Sequence, residues 1–469
     1  MLHAEALRQD PRLAQAKQLI ADAIRDHSSD LNQIVSPDSG LADGYADVIS
    51  QYTNVRGGPP IWPYFSSGLG NGPYVELADG SVKLDFIGGI GVHGCGHSDP
   101  RVVDAAIDAA IEDTVMQGNL QQNVSSVTML SKLIDLVCQS GAAIEHGLLS
   151  TSGAMANENA LKLAFHHRQP ADRILAFDNA FAGRSIALAA ITDRPSYRDG
   201  IPLAIEVDYL PFLDPHHPQR STRWAVDELH RLLSRHPGRY AAFWAEPIAG
   251  EGGYYPGSHD FFTQLCRPLR DAGVPIIFDE VQSFSRTSRP FAFQHFQLDE
   301  FCDIVTVGKI TQVCATLYRK SFHPTSPILS QTFTGSTSAI TTGLATLQAL
   351  QTAGCFGEDG LNMARHEYFA DGLAALAEKY PEHLSGPFGE GMMIAFTPGN
   401  GTFDQAKQLM NLCYQHGLLG FLAGSDPTRM RFLPPPAVTT TAHIDHALEI
   451  LDAAMAQFIT EESWLVTNN

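Results

Sequence analysis

Two short apolar runs each end on a reactive side chain. Val274-Pro275-Ile276-Ile277-Phe278 runs into Asp279-Glu280, and Asp303-Ile304-Val305-Thr306-Val307-Gly308 runs into Lys309. Each run has the length and β-branched content of a buried strand. A carboxylate and an amine at two strand ends suit one kind of chemistry. The amine can form a Schiff base with an aldehyde cofactor such as pyridoxal 5′-phosphate (PLP). The carboxylate can keep the pyridine nitrogen protonated, which makes the ring an electron sink. Either segment alone is a common strand end in α/β proteins; the pair carries the argument.

Four further segments have residue types that fit this chemistry. Ser150-Thr151-Ser152-Gly153-Ala154-Met155-Ala156-Asn157-Glu158 leaves an apolar run and opens a helical stretch. Small residues let backbone approach an anion, and free N–H groups at a helix start face it. Gly153 and Ala154 are therefore candidates for a phosphate cup, although an ordinary Ser-capped helix has the same wording. Phe181 and Arg184 lie three apart in a Gly-containing loop. The aromatic can stack on a flat ring and the arginine can fork a carboxylate; a packed loop aromatic beside a solvated arginine is the plainer alternative. Glu246 and Glu251 share a Gly-rich loop after another strand, where exposed turn carboxylates are the plain reading. Arg431, between Met430 and Phe432-Leu433-Pro434-Pro435-Pro436, needs a partner, because an unpaired buried charge is costly. A structural ion pair would satisfy that need. His93-Gly94-Cys95-Gly96-His97 has metal-ligand residue types, but its glycines disfavour a helix that would align the imidazoles, so no metal is expected.

Positioning these groups takes a large scaffold. The 469 residues call for two or three domains. Between residues 100 and 310, helical stretches (101–113, 124–139, 154–167, 225–235, 258–271) alternate with short apolar runs (147–150, 173–177, 241–245, 274–278, 303–307). That alternation predicts an α/β unit with a mostly parallel sheet. Tyr74-Val75-Glu76-Leu77 and Val82-Lys83-Leu84-Asp85-Phe86 flank Asp79-Gly80, a hairpin signal. Residues 11–34 are expected to be helical and 35–75 irregular. Helices over 337–353, 361–379 and 441–457 suggest a smaller α+β domain.

Lys plus Arg total 31 against 51 Asp plus Glu, a net charge of −20. This excess argues against nucleic acid and anionic membrane surfaces as partners. No apolar stretch reaches the length of a membrane span, and the first ten residues lack the pattern of a signal peptide. Seven scattered cysteines with no Cys-x-x-Cys pair point to reduced thiols and a cytoplasmic setting.

In order, these segments resemble the class III, ornithine- and acetylornithine-type aminotransferases of PLP fold type I, from about residue 70 to 455. The wording includes Leu84-Asp85-Phe86-Ile87-Gly88-Gly89-Ile90, Gly96-His97-Ser98-Asp99-Pro100, Ser152-Gly153-Ala154, Asn179 to Arg184, Glu246-Pro247-Ile248 with Gly250-Glu251-Gly252-Gly253, and Asp279-Glu280-Val281-Gln282. Gly308-Lys309, Thr332-Phe333 and Arg431-Phe432-Leu433-Pro434-Pro435 complete it. The resemblance implies a large PLP-binding domain over 86–340 with a mostly parallel, seven-stranded sheet. It also implies a small α+β domain built from residues 1–85 and 341–469.

By the same resemblance, Lys309 is the Schiff-base lysine and Asp279 the pyridine-nitrogen partner. Gln282 would bond the ring 3-oxygen, Gly153 and Ala154 the phosphate, and Phe181 would stack on the ring. Thr332 would reach the phosphate of the neighbouring subunit, which implies a homodimer with shared active sites. Arg184 and Arg431 would bind substrate carboxylates, with Glu251 masking Arg431 in one half-reaction. The implied activity is an ω-aminotransferase moving a terminal amine from an ornithine-, acetylornithine-, lysine- or GABA-like amino acid to 2-oxoglutarate. The alternatives are a racemase, epimerase or aminomutase on the same scaffold, an amine:pyruvate-type transaminase, or a non-enzymatic binding protein. The chain departs from the pattern at Met155 (usually Glu), at Ala249 (usually Gln) and at Thr334-Gly335-Ser336-Thr337 (usually Gly-Gly-Asn-Pro). It also lacks the Gly-rich stretch after the lysine, reading Ile310-Thr311-Gln312-Val313-Cys314-Ala315-Thr316 instead.

Overall fold

A computed structural model describes residues 1–112 and 115–467. Residues 113–114 and 468–469 lie outside it, and with them the end of the helix expected over 101–113 and the last two residues of the expected C-terminal domain.

The largest sheet orders seven strands as His146–Ser150, Cys314–Tyr318, Ile304–Val307, Ile276–Glu280, Tyr240–Ala245, Arg173–Phe177 and Glu206–Leu210. Cys314–Tyr318 runs antiparallel to both neighbours, and the other pairings are parallel. Every residue of Tyr240–Ala245 and of Ile276–Glu280 is buried. That is why these strands read as unbroken apolar runs: helices cover both faces of a parallel sheet. Alternate side chains divide between two apolar clusters. Leu175, Phe243, Phe278 and Val305 face helices Val124–Cys138, Pro218–Arg235 and His259–Asp271. Ile174, Trp244, Ile277 and Ile304 face helix Gly153–His167. Each such side chain contributes roughly 1.5–3 kcal/mol by leaving water.

A third apolar cluster joins distant parts of the chain. The hairpin Tyr74–Leu77 and Val82–Asp85 turns at Gly80, which needs its φ of +77°. Its Tyr74, Val82 and Leu84 pack with Phe369, Leu412, Phe432 and Leu451. The four-stranded sheet there holds Arg429–Phe432 between Met393–Pro398 and Phe421–Ala423. Helix Thr337–Thr352 runs through the 340/341 boundary, and its Ile340, Leu347 and Leu350 belong to the larger cluster.

Residues 35–75 are not irregular throughout. They contain helix Ala42–Arg56 and strand Ser66–Asn71. That helix buries little besides Tyr45, so it lacks the apolar stripe by which a surface helix shows in sequence. The strand holding Asp279 spans Ile276–Glu280, so both acids lie within it rather than after it.

Candidate active site

The parallel register sets the two reactive ends side by side. Asp279 pairs with Thr306 and Glu280 with Val307, and Gly308-Lys309 follow at once. Both groups therefore emerge at the carboxyl edge of the sheet, where open α/β folds bind ligands. Lys309 opens a short 3-10 turn, Lys309–Thr311, with a left-handed φ of +53°.

Asp279 is 5% exposed. Its carboxylate accepts from the side-chain amide of Asn157 at 2.7 Å and from the N–H of Val281 at 2.9 Å. Burial still pushes its acid up to about 6. Lys309 is pushed down to about 8, first by burial and further by Arg431, against the pull of Glu251 and Asp279. Asn157 was not anticipated as a site residue. Its amide also donates to the carbonyl of Ala182 at 2.7 Å, joining Asp279 to the Phe181 loop. Its signal in the sequence was an amide four positions after Gly153, on a helix covering the sheet.

Helix Gly153–His167 begins beside these groups. The hydroxyl of Ser152 accepts from the N–H of Met155 at 3.2 Å, an N-cap. Gly153 and Ala154 occupy the first two helical positions, whose N–H groups have no acceptor inside the helix. A Cβ on Gly153 would lie 2.8 Å from Cγ1 of Val281, so the helix start abuts the segment that follows Asp279.

Glu246 ties two loops together. Its carboxylate accepts from the N–H of Phe181 and from that of Gly250, each at 3.0 Å. Burial, then nearby Asp279, pushes its acid up to about 8. It is not one of the exposed turn carboxylates that a Gly-rich loop suggested; the signal was its position at the end of a fully buried strand.

Glu251, Gln282 and Arg431 form a closed set. Nη2 of fully buried Arg431 lies 2.7 Å from Oε1 of Glu251. Its Nη1 donates to Gln282 at 3.3 Å, and Gln282 donates to Glu251 at 3.4 Å. Burial alone would raise the Glu251 acid, but Arg431 and Lys309 together hold it below the usual range.

Lys309, Asp279, Gln282, Glu251 and Arg431 thus share one neighbourhood. Phe181 is half-buried at its edge, with its ring edge-on to Tyr197 at 6.2 Å. Arg184 is exposed, its guanidinium 3.8 Å from the centre of the Tyr197 ring. Thr332 is exposed, on a loop whose neighbour Thr334 bonds the carbonyl of Gln117. Among the described residues, no hydrogen bond or ion pair joins Arg184 or Thr332 to Lys309. His97 bonds Asp85 at 3.0 Å, and no group of His, Cys, Asp and Glu among the described residues is arranged to hold a metal.

These residues fit PLP. A buried carboxylate suits a protonated ring nitrogen. The open helix start suits a phosphate, and an amine whose pKa burial lowers suits an aldehyde.

A model of the family described as aminotransferase class-III matches residues 64–455. The acetylornithine aminotransferase of Bacillus subtilis is 32% identical over 404 residues, covering 82% of this chain and 93% of that protein. The acetylornithine aminotransferase of Methanocaldococcus jannaschii is 28% identical, covering 83% of this chain and 92% of that protein. A succinylornithine transaminase of Photorhabdus laumondii is 28% identical, covering 81% and 91%. A lysine aminotransferase from M. tuberculosis shares the fold at a TM-score of 0.77, with 24% identity over 87% of this chain and 99% of that one.

Proposed function

Because the chain belongs to the class-III aminotransferase family, whose cofactor is PLP, we propose that it moves a terminal amino group from an ornithine-, acetylornithine-, lysine- or GABA-like amino acid to 2-oxoglutarate. The buried Arg431–Glu251 pair beside Lys309 carries this reading. Such an enzyme must accept one substrate with a carboxylate next to the reacting carbon and another without it. Arg431 serves the first, and Glu251 neutralises Arg431 for the second.

When bound, PLP supplies the electron sink that lets a proton leave the substrate carbon. Asp279 would hold the proton on the ring nitrogen, and Asn157 and the Val281 N–H hold Asp279 in place. Lys309, with its constant lowered to about 8, is within reach of its neutral form near neutral pH and moves that proton as base and then acid. Gly153 and Ala154 would offer N–H groups to the phosphate, Phe181 would cover the ring, and Gln282 would serve its 3-oxygen. Arg184 takes the distal carboxylate of the oxo acid after leaving Tyr197.

The active unit in this reading is a homodimer, with exposed Thr332 serving the partner's phosphate. The seven unpaired cysteines support a cytoplasmic location. Among the described residues no helix is long and apolar enough to cross a membrane. In this reading residues 1–85 and 341–469 form the small domain and 86–340 the large one; Leu347, Leu350, Cys355, Met393, Ala395 and Leu433 nonetheless pack in the larger cluster.

The test converts the PLP form with a panel of ω-amino acids and follows the cofactor absorbance. An ornithine-like donor should convert it, and 2-oxoglutarate should return it. Turnover that needs no oxo acid would favour a racemase or aminomutase instead.

A further inference from the structure

We infer that Gln312 is a positioning residue for Lys309, tying the turn that carries the lysine to Val92, directly after the left-handed stretch over residues 88–91. The inference rests on reading Lys309 as the cofactor-binding lysine. The side-chain amide of Gln312 donates to the carbonyl of Val92 at 2.8 Å and lies 3.5 Å from the carbonyls of Lys309 and Ile310. Its own N–H donates to the Lys309 carbonyl at 3.0 Å. Lys309 and Gln312 both have left-handed backbone, at φ +53° and +62°, a conformation that persists in non-glycine residues only where surroundings enforce it.

The loop is itself held in an unusual shape. Gly88, Gly89, Ile90 and Gly91 are all left-handed, at φ +49°, +65°, +61° and +83°. Two consecutive carbonyls of this loop are gripped by side chains. Arg286, seven residues beyond Asp279, donates to Gly91 at 2.8 Å, and Gln312, three beyond Lys309, donates to Val92. The loop is therefore referenced to both reactive strands. Apolar contact adds to the grip. A Cβ on Gly94 would lie 2.4 Å from Cγ1 of Ile310. On the far side, a Cβ on Gly343 would lie 2.2 Å from the carbonyl of Thr311. The backbone from which Lys309 swings is thus wedged between loop and helix, with Gln312 as its polar tether to the loop.

Removing the amide should loosen this wedge and admit water to Lys309. Burial is the main cause of the lysine's lowered constant, so the amine should titrate higher. The charged groups acting on it are Glu251, Arg431, Asp279 and Glu246, and all remain in the variant.

The test labels the PLP-free full-length chain with an amine-specific reagent across pH, reading the Lys309 peptide by mass. Gln312→Ala removes the side chain; Gln312→Met keeps its volume and removes the donor. In both, the labelling midpoint should move up, cutting the rate at pH 8 about two- to fivefold, the change in free amine for a rise of roughly half to one pH unit. A purely structural role would lower the melting temperature and leave the midpoint in place, which would overturn the proposal. If Gln312→Ala does not fold, Gln312→Met decides. Borohydride reduction of the PLP-loaded wild type checks the underlying reading separately. A label on another lysine sinks that reading, whereas a label on Lys309 with unmoved midpoints sinks the tether alone.

Discussion

Asp279 is a carboxylate whose burial outweighs the pull of nearby Lys309 and its hydrogen-bond donors. Its acid sits at about 6 in the fold, against roughly 3.9 in an unfolded chain. The native state therefore binds more protons between about pH 4 and 6, and stability from this group is lost as pH rises through that window. Asp279→Asn removes the buried charge. The PLP-free variant should melt higher than wild type at pH 7.5, by an amount equivalent to about 3 kcal/mol at most, and the gap should shrink toward pH 4. Turnover should fall by orders of magnitude, because an amide cannot hold the ring proton as a carboxylate does. Melting curves at the two pH values and single-turnover rates check both halves. Arg431 and Glu251 make the complementary pair of variants. Arg431→Ala should slow the 2-oxoglutarate half-reaction more than the ω-amine half, about ten- to hundredfold in specificity, since a charged fork contributes roughly 1.5–3 kcal/mol. Glu251→Ala should leave Arg431 unmasked and favour glutamate over the ω-amine donor. Stopped-flow absorbance separates the halves; equal slowing of both in each variant would make the pair a structural one.

Helix Gly153–His167 meets the sheet with its first residue 2.8 Å, measured from a would-be Cβ, from Val281. Gly153→Val should push the helix start away from the reactive strand ends and weaken PLP binding at least tenfold, measured by equilibrium titration of the PLP-free chain. Ser152→Ala removes the cap and costs about 1 kcal/mol of stability, a smaller and more general effect. Unchanged PLP affinity in Gly153→Val would move the phosphate site elsewhere. The helices and strands around this site were the easiest to read in the sequence. Strands Arg173–Phe177 and Tyr240–Ala245 are apolar because both faces are covered, and helices Pro218–Arg235 and His259–Asp271 carry clear apolar stripes. Helix Ala42–Arg56 was not legible, since nearly all of it faces solvent and its pattern is weak.

At the scale of the whole molecule, the proposed homodimer would give exposed Thr332 and its exposed neighbour Phe333 a role. Activity should fall on dilution in step with the dimer fraction measured by analytical ultracentrifugation. A fully active monomer would remove the role given to Thr332. The residue types and their order were enough, from sequence alone, to mark Lys309 and Asp279 as a pair, because strand-end acid and amine in an α/β repeat have few other joint uses. Residue order also marked Arg431 as a charge in need of a partner. Only the tertiary structure could say that the partner is Glu251, since the two lie 180 positions apart and meet across two apolar clusters. It alone showed Asn157 bracing Asp279, Glu246 joining two loops, and Gln312 reaching Val92. Polar side chains at these positions carry no periodic signal. Their partners are backbone groups and distant side chains, which a linear pattern does not bring together.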